Sequence, residues 1–127
     1  IKDVLKKDGL AGIQVILINN KSYQRYSKSV DFIQKYVFPG GMLPSQEKLN
    51  ENYVDAGLVE VNSHSFGKSY AKTLTIWHKE FLNSLSAIKK LGFDIKLERI
   101  FKYYFSYCKA GFNSERIDVA QKIIKLN

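Results

Sequence analysis

One cysteine, two prolines and two histidines are scattered through 127 residues, and no apolar run approaches the ~20 residues that span a bilayer. Each scarcity closes off a class. A lone Cys108 excludes an internal disulfide and fits a reducing cytoplasm. His64 and His78 share no metal-ligand spacing with other Cys or His residues. Neither has a nucleophile partner, and both read as structural or surface side chains. No glycine-rich turn follows a strand and no phosphate-binding loop occurs. The apolar run Ile13–Ile18 is too short for a leader and carries no cleavage site. Ile1 is not a methionine, so the chain is read as processed or as cut from a longer one. No internal repeat or low-complexity linker is present.

What remains is a chain that should fold as one domain. Hydrophobic residues make up 45% of it, enough for a core and too much for disorder. Lys and Arg total 20 against 12 Asp and Glu, a formal charge of +8. That balance suits an anionic partner, whether nucleic acid, an anionic membrane surface or a phosphorylated ligand. It equally suits a solvated basic surface with no dedicated ligand.

Both prolines lie in Phe38-Pro39-Gly40-Gly41-Met42-Leu43-Pro44-Ser45, beside the only adjacent glycine pair. Proline fixes φ and lacks an N–H, and glycine reaches positive φ freely. The segment therefore reads as a helix–helix connector, with Ser45 as the next N-cap. Before it, Ile1–Leu5 reads as the tail of a helix and Gly12–Ile18 as a strand buried on both faces, as in a parallel sheet. Gln14 interrupts that strand and needs hydrogen-bond partners if buried. Ser22–Val37 reads as one amphipathic helix, with Tyr23, Tyr26, Val30, Ile33 and Val37 inward and Lys21, Arg25, Lys28 and Lys35 on a separate stripe.

After the connector, Ser45–Ala56 reads as a helix closed by Gly57, and Leu58–Ser65 as a strand. Ser69–Leu91 reads as one long helix with Tyr70, Leu74, Trp77, Phe81, Leu85 and Ile88 on one face. A further helix runs from the Asp94 cap to about Phe112, with Leu97, Ile100, Phe101, Tyr104 and Cys108 inward. Arg116–Leu126 reads as the last strand, with Val119, Gln121 and Ile123 on one face and Ala120, Lys122 and Ile124 on the other. The two consecutive aromatic helices could wall a long apolar cavity.

Five ordered stretches carry a resemblance. They are the Phe-Pro-Gly-Gly turn at 38–41, Val4-Leu5-Lys6-Lys7-Asp8-Gly9, Phe66-Gly67 with Tyr70, Thr73, Leu74 and Trp77 behind it, Tyr103-Tyr104-Phe105-Ser106-Tyr107-Cys108 leading to Gly111-Phe112, and Arg116–Gln121. Together the chain resembles the cyclopropane-fatty-acyl-phospholipid synthase and mycolic-acid cyclopropane synthase family over essentially all its residues. The resemblance implies an α/β fold: the C-terminal part of a class I, Rossmann-like S-adenosylmethionine-dependent methyltransferase, with about three strands and four or five helices. Residues 68–113 would be a helical insert forming the acyl pocket or its lid.

Family enzymes attack the cofactor's methyl group with the cis double bond of a lipid acyl chain. The resulting carbocation loses a proton to bound bicarbonate and closes a cyclopropane ring. Close relatives install a methyl branch instead. An alkene is a weak nucleophile, so such a site must hold it close, exclude water and supply one base.

By the resemblance, Tyr70, Gln14 and Ile16 occupy bicarbonate-site positions, Ile16 through its backbone. Gln14 falls where many members have His, and an amide brings no positive charge. Trp77, Tyr103, Tyr104 and Phe112 are the implied substrate-binding residues. No cofactor-binding or metal residue is assigned: the glycine-rich turn, the acidic ribose partner and the bicarbonate-holding Cys and Glu would lie upstream, and the fragment alone would be inactive. Cys108 is a core residue in this reading. The implied partners are phospholipid acyl chains and an anionic membrane surface, with the enzyme cytoplasmic and peripheral at the inner membrane. A second copy could pair with the exposed edge of the Ile13–Ile18 strand. The competing readings are a basic module binding nucleic acid or protein, and a decayed remnant without function, to which Lys7, Asp8 and Gln14 would point.

Overall fold

The computed structural model covers residues 1–127 and contains three strands: β1 (Ala11–Ile18), β2 (Leu58–Ser65) and β3 (Ile117–Leu126). The last strand of the chain is the middle of the sheet, in the order β1-β3-β2, and it runs antiparallel to both neighbours. This accounts for its burial. Val119, Ala120, Lys122 and Ile124 are all shielded from solvent, because β3 alone is paired on both edges and covered on both faces.

The helices are α1 (Asn20–Tyr26), α2 (Phe32–Tyr36), α3 (Gln46–Asp55), α4 (Gly67–Asn83), α5 (Leu85–Lys90) and α6 (Ile95–Asn113). A 3-10 turn at Lys2–Val4 precedes them. One sheet face takes α3. There Tyr53, Leu58 and Ile124 form a core joined by Leu49, Ala56, Ile13 and Ala11. The other face takes the antiparallel pair α4 and α6, with Ala71, Leu74, Phe105, Phe112 and Val119 at the centre. The residues between β2 and β3 are therefore a helical insert standing on the sheet.

Three expectations are corrected. β1 is not buried on both faces, nor is it paired in parallel. Only Leu17 and Ile18, at its carboxyl end, are buried, while Gly12 and Gln14 are exposed. Strand direction depends on the partner, and the partner here is β3, which returns from the insert.

The single helix expected over Ser22–Val37 is two. The hydroxyls of Ser27 and Ser29 donate back to the carbonyls of Gln24 and Tyr26, a local alternative to helix propagation. Asp31 then starts α2 with a capping box shared with Gln34. Val30, expected inward, lies on this connection and is exposed.

The long helix expected over Ser69–Leu91 breaks at Ser84, whose N–H is shared between the carbonyls of Glu80 and Phe81. Six helices therefore stand where four or five were expected. The insert also begins at Gly67. Its N–H has a partner from a distant strand, donating to Asp118 Oδ1 at 2.9 Å. A side chain at 67 would run into that carboxylate and would sit 3.2 Å from the Phe112 ring.

The Pro-Gly connector behaves as its composition dictates. Gly40 takes φ of +81°, and Ser45 caps α3 by accepting the Lys48 N–H. The connector is tied down by Tyr26, whose hydroxyl accepts the Leu43 N–H at 3.2 Å.

Candidate functional site

The side chains of Gln14 and Ile16 lie two residues apart on β1 and so share the face that carries α4 and α6. Ile16 packs against the cluster built on Val119, as does Tyr70 from the first turns of α4. Gln14 lies further from the insert. Opposite it in register is Gln121, whose amide donates to Gln14 Oε1 at 3.3 Å. The Gln14 amide NH2 makes no hydrogen bond within the chain.

The backbone of β1 adds a donor. Asn19 N–H donates to Arg116 O, toward β3, while Ile18 N–H donates the other way, to Pro44 O. Backbone groups alternate sides along an antiparallel strand. In the unbroken register of β1, the N–H groups of Gln14 and Ile16 therefore point, like that of Ile18, away from β3 toward the unpaired edge.

Tyr70 is the hub of the aromatic array. Its ring lies 5.2 Å from Phe112 and 6.0 Å, edge-on, from Trp77. Seven residues separate Tyr70 from Trp77, so both occupy one stripe of α4. Trp77 is nevertheless about half exposed, at the open side of the seam between α4 and α6. Tyr104 enters the seam from α6 beside Phe101 and Phe105. Burial pushes its hydroxyl up to about 12, with Cys108 and Tyr70 contributing. Burial likewise pushes the Cys108 thiol up to about 11, which makes it a small, unreactive packing residue.

Tyr103 does not join this group. It leaves α6 on another side, half exposed, with its ring edge-on to Phe32 at 4.5 Å and stacked on Tyr107 at 5.8 Å. Tyr107 in turn donates to Asp31 Oδ2 at 3.1 Å, and burial together with that carboxylate pushes its hydroxyl up to about 12. The structure thus gathers Ile16, Tyr70, Trp77, Tyr104 and Phe112 around one seam, leaves Gln14 at its sheet end and sets Tyr103 apart.

One aromatic went unassigned from the sequence. Phe38, inside the Phe-Pro-Gly-Gly turn, meets Tyr104 edge-on at 6.4 Å. The turn therefore touches the seam at Tyr104, while the Phe38 ring itself stays about half exposed.

A separate cleft of about 680 Å³ opens at the carboxyl ends of β1 and β2, among Asn19, Gln46, His64, Lys68 and Asp118. Phe112 alone among the expected residues reaches it. His64 stacks on Phe66 at its rim, and His78 stacks on Phe105 across the insert. No group of His, Cys, Asp and Glu side chains is arranged to hold a metal ion.

Tuberculostearic acid methyltransferase UfaA1 of Mycobacterium tuberculosis is 32% identical over 122 residues, covering 95% of this chain and 29% of that protein. Cyclopropane-fatty-acyl-phospholipid synthase of Escherichia coli is 28% identical over 110 residues, covering 86% and 28% respectively. Among solved structures, the cyclopropane synthase MmaA2 of Mycobacterium tuberculosis superposes with a TM-score of 0.84 at 21% identity, over 97% of this chain and 46% of that one. Mycolic acid cyclopropane synthase CmaA1 complexed with SAH and CTAB gives 0.83 at 24% identity, over 96% and 46%. The chain thus spans under a third of the length of these curated relatives and about half of the solved chains, whose α/β fold it shares. The family model for mycolic acid cyclopropane synthetase matches residues 1–122, and the chain belongs to that family.

Proposed function

We propose that this chain supplies the acyl-binding side of an S-adenosylmethionine-dependent enzyme that adds a one-carbon unit to the double bond of phospholipid acyl chains. The observation that carries the reading is the aromatic seam: Tyr70, Trp77, Phe112 and Tyr104, bordered by Phe38, beside Ile16 on the sheet. Flat apolar rings suit a polymethylene chain, and a dry wall protects a cationic centre from water. The insert from Gly67 to Asn113 is the wall and lid of that pocket.

S-adenosylmethionine would supply the electrophilic methyl group. No glycine-rich turn follows β1 or β2, so no residue of this chain is given a contact with it. A small anion such as bicarbonate suits the donors at the sheet end: the free Gln14 amide, the outward Ile16 N–H and the Tyr70 hydroxyl, which makes no hydrogen bond within the chain. All three are neutral, so they hold an anion by hydrogen bonds alone. An anionic base there would accept the proton that the substrate cation releases.

No helix is long and apolar enough to cross a membrane. The positive surface would hold the protein against anionic lipid at the inner face of the membrane. The unpaired edge of β1 could also accept a strand from a second copy, which would take up the same outward N–H groups that an anion would use.

The test is mass spectrometry of lipids after incubation with S-adenosylmethionine and vesicles of unsaturated phospholipid. The chain is assayed alone and joined to the upstream part of a relative. The expected result is acyl chains gaining one carbon and two hydrogens with the joined protein only. No gain with either form would refute the proposal. Gain with the chain alone would refute the assignment of the cofactor site elsewhere.

A further inference from the structure

We infer that the turn between α5 and α6 is a membrane-inserting wedge for anionic bilayers, an inference that rests on the lipid-substrate reading and locates its contact point. Leu91, Phe93 and Ile95 sit in five consecutive residues and are 76%, 50% and 52% exposed. Each leaves half or more of its surface open to solvent. Gly92 between them takes φ of +91°, with open space where a side chain would be, and this sharp turn lets the apolar residues project together.

They sit at the far end of the insert. From Phe112, against the sheet, to Ile95 is seventeen residues of α6, so the tip stands about 25 Å out at 1.5 Å per residue. The aromatic seam runs along the same helices, through Phe101 and Phe81 toward that end.

Cations outnumber acids around the tip, five to two: Lys89, Lys90, Lys96, Arg99 and Lys102 against Asp94 and Glu98. Lys90, Lys96 and Arg99 are exposed and make no ion pair. The two acids nearby are already engaged. Asp94 caps α6, accepting from the N–H groups of Lys96 and Leu97. Glu98 is held between Lys89 at 3.2 Å and Lys102 at 2.7 Å, and those lysines keep its carboxyl below the usual range. A convex apolar tip ringed by cations matches the interface of an anionic bilayer, where side chains enter the acyl boundary and lysines stay among the headgroups. A second copy of this chain is a poor occupant, because its tip carries the same positive charge.

The experiment uses a spin label at Phe93→Cys in a Cys108→Ser background, with vesicles of phosphatidylcholine alone or mixed with phosphatidylglycerol. The expected result is a label inside the acyl boundary on the mixed vesicles, with a control label at Asn52 on α3 staying in water. Replacing Leu91, Phe93 and Ile95 together by serine should weaken vesicle binding by about 100-fold. It should lower the melting temperature only slightly, since each of the three is half or more exposed. Lys90→Gln and Lys96→Gln should each cost about fivefold and reduce the salt dependence. If the bound protein keeps the Phe93 label in water, or the serine variant binds like the parent, the wedge is wrong and the membrane reading stands with its contact elsewhere. If no vesicle is bound at all, the wedge is overturned. The lipid-product measurement above then decides separately whether acyl chains are substrates.

Discussion

Replacing Glu60 by glutamine should destabilise this fold more than removing Lys122, the lysine it pairs with. Lys122 is 1% exposed, and its ammonium donates to Glu60 at 2.9 Å, Gln46 at 2.8 Å and Ser63 at 3.0 Å. The Glu60 side chain is 23% exposed. The two ends of the pair therefore depend on each other unequally. Glu60→Gln leaves a buried positive charge with neutral acceptors only, a loss of about 3 kcal/mol, at the lower end for breaking a buried pair. Lys122→Met keeps the apolar stem and leaves Glu60 where water can reach it. Gln46 Oε1 and Ser63 Oγ each lose one donor, so the cost is about 1–2 kcal/mol.

The double variant should match Lys122→Met, which gives a coupling energy of about 3 kcal/mol between the sites. Urea unfolding of the four proteins, followed by circular dichroism, measures this from midpoints at constant slope. If Glu60→Gln costs no more than Lys122→Met, or the two costs add, the reasoning fails.

Other outcomes follow from features already described. Gly67→Ala should cost about 2–3 kcal/mol, because its Cβ would collide with the Asp118 carboxylate that holds α4; calorimetry showing an unchanged melting temperature would refute this. Cys108 and Tyr104 have folded-state pKa values raised from 9.0 and 10.0 to about 11 and about 12. The unfolded chain deprotonates first, so their contribution is fully present below about pH 9 and is lost as pH rises through 11 and 12. Thermal melts across that window should fall, and Cys108→Ala should flatten the part between pH 9 and 11. In the chain joined to a relative's upstream part, the proposed anion site predicts that Gln14→His should raise turnover by adding a positive charge there, while Tyr70→Phe should lower it about tenfold or more with the fold intact. Equal rates for all three proteins would refute the proposed anion site.

Much of this was legible because it is local. The period-2 pattern of β3 and the 3.6-residue stripe that puts Tyr70 below Trp77 need no distant partner to be read. What was missed depends on contacts across the chain or on single hydroxyls. Direction in β1 is set by β3, about a hundred residues later. The interruptions at Ser27, Ser29 and Ser84 come from local hydrogen bonds that override a continuous apolar stripe. Lys122 was placed on the right face, but its burial rests on Gln46, Glu60 and Ser63, and nothing near it in sequence announces them. Tyr103 and Tyr104 show two signals disagreeing. Neighbours on a helix point about 100° apart, and the inward stripe through Leu97, Phe101, Tyr104 and Cys108 holds Tyr104 and leaves Tyr103 out, whereas the resemblance implies both as substrate-binding.

The root of the insert has a mechanical consequence. Asp118 Oδ1 accepts from both Gly67 and Val119, Lys68 pairs with Glu115 at 2.8 Å, and Asn19 reaches the Glu115 carbonyl. Both chain crossings between sheet and insert are thereby clamped within one small region. The far end has the short α5, the Ser84 break and one ion pair, Lys89 to Glu98, tying α5 to α6. A beam fixed at one end bends most at the other, so a displacement too small to disturb Tyr70 at the base becomes a large sweep at Phe93. The fold can thus keep the base of the insert rigid while its outer end moves, which is what the proposed membrane wedge would need.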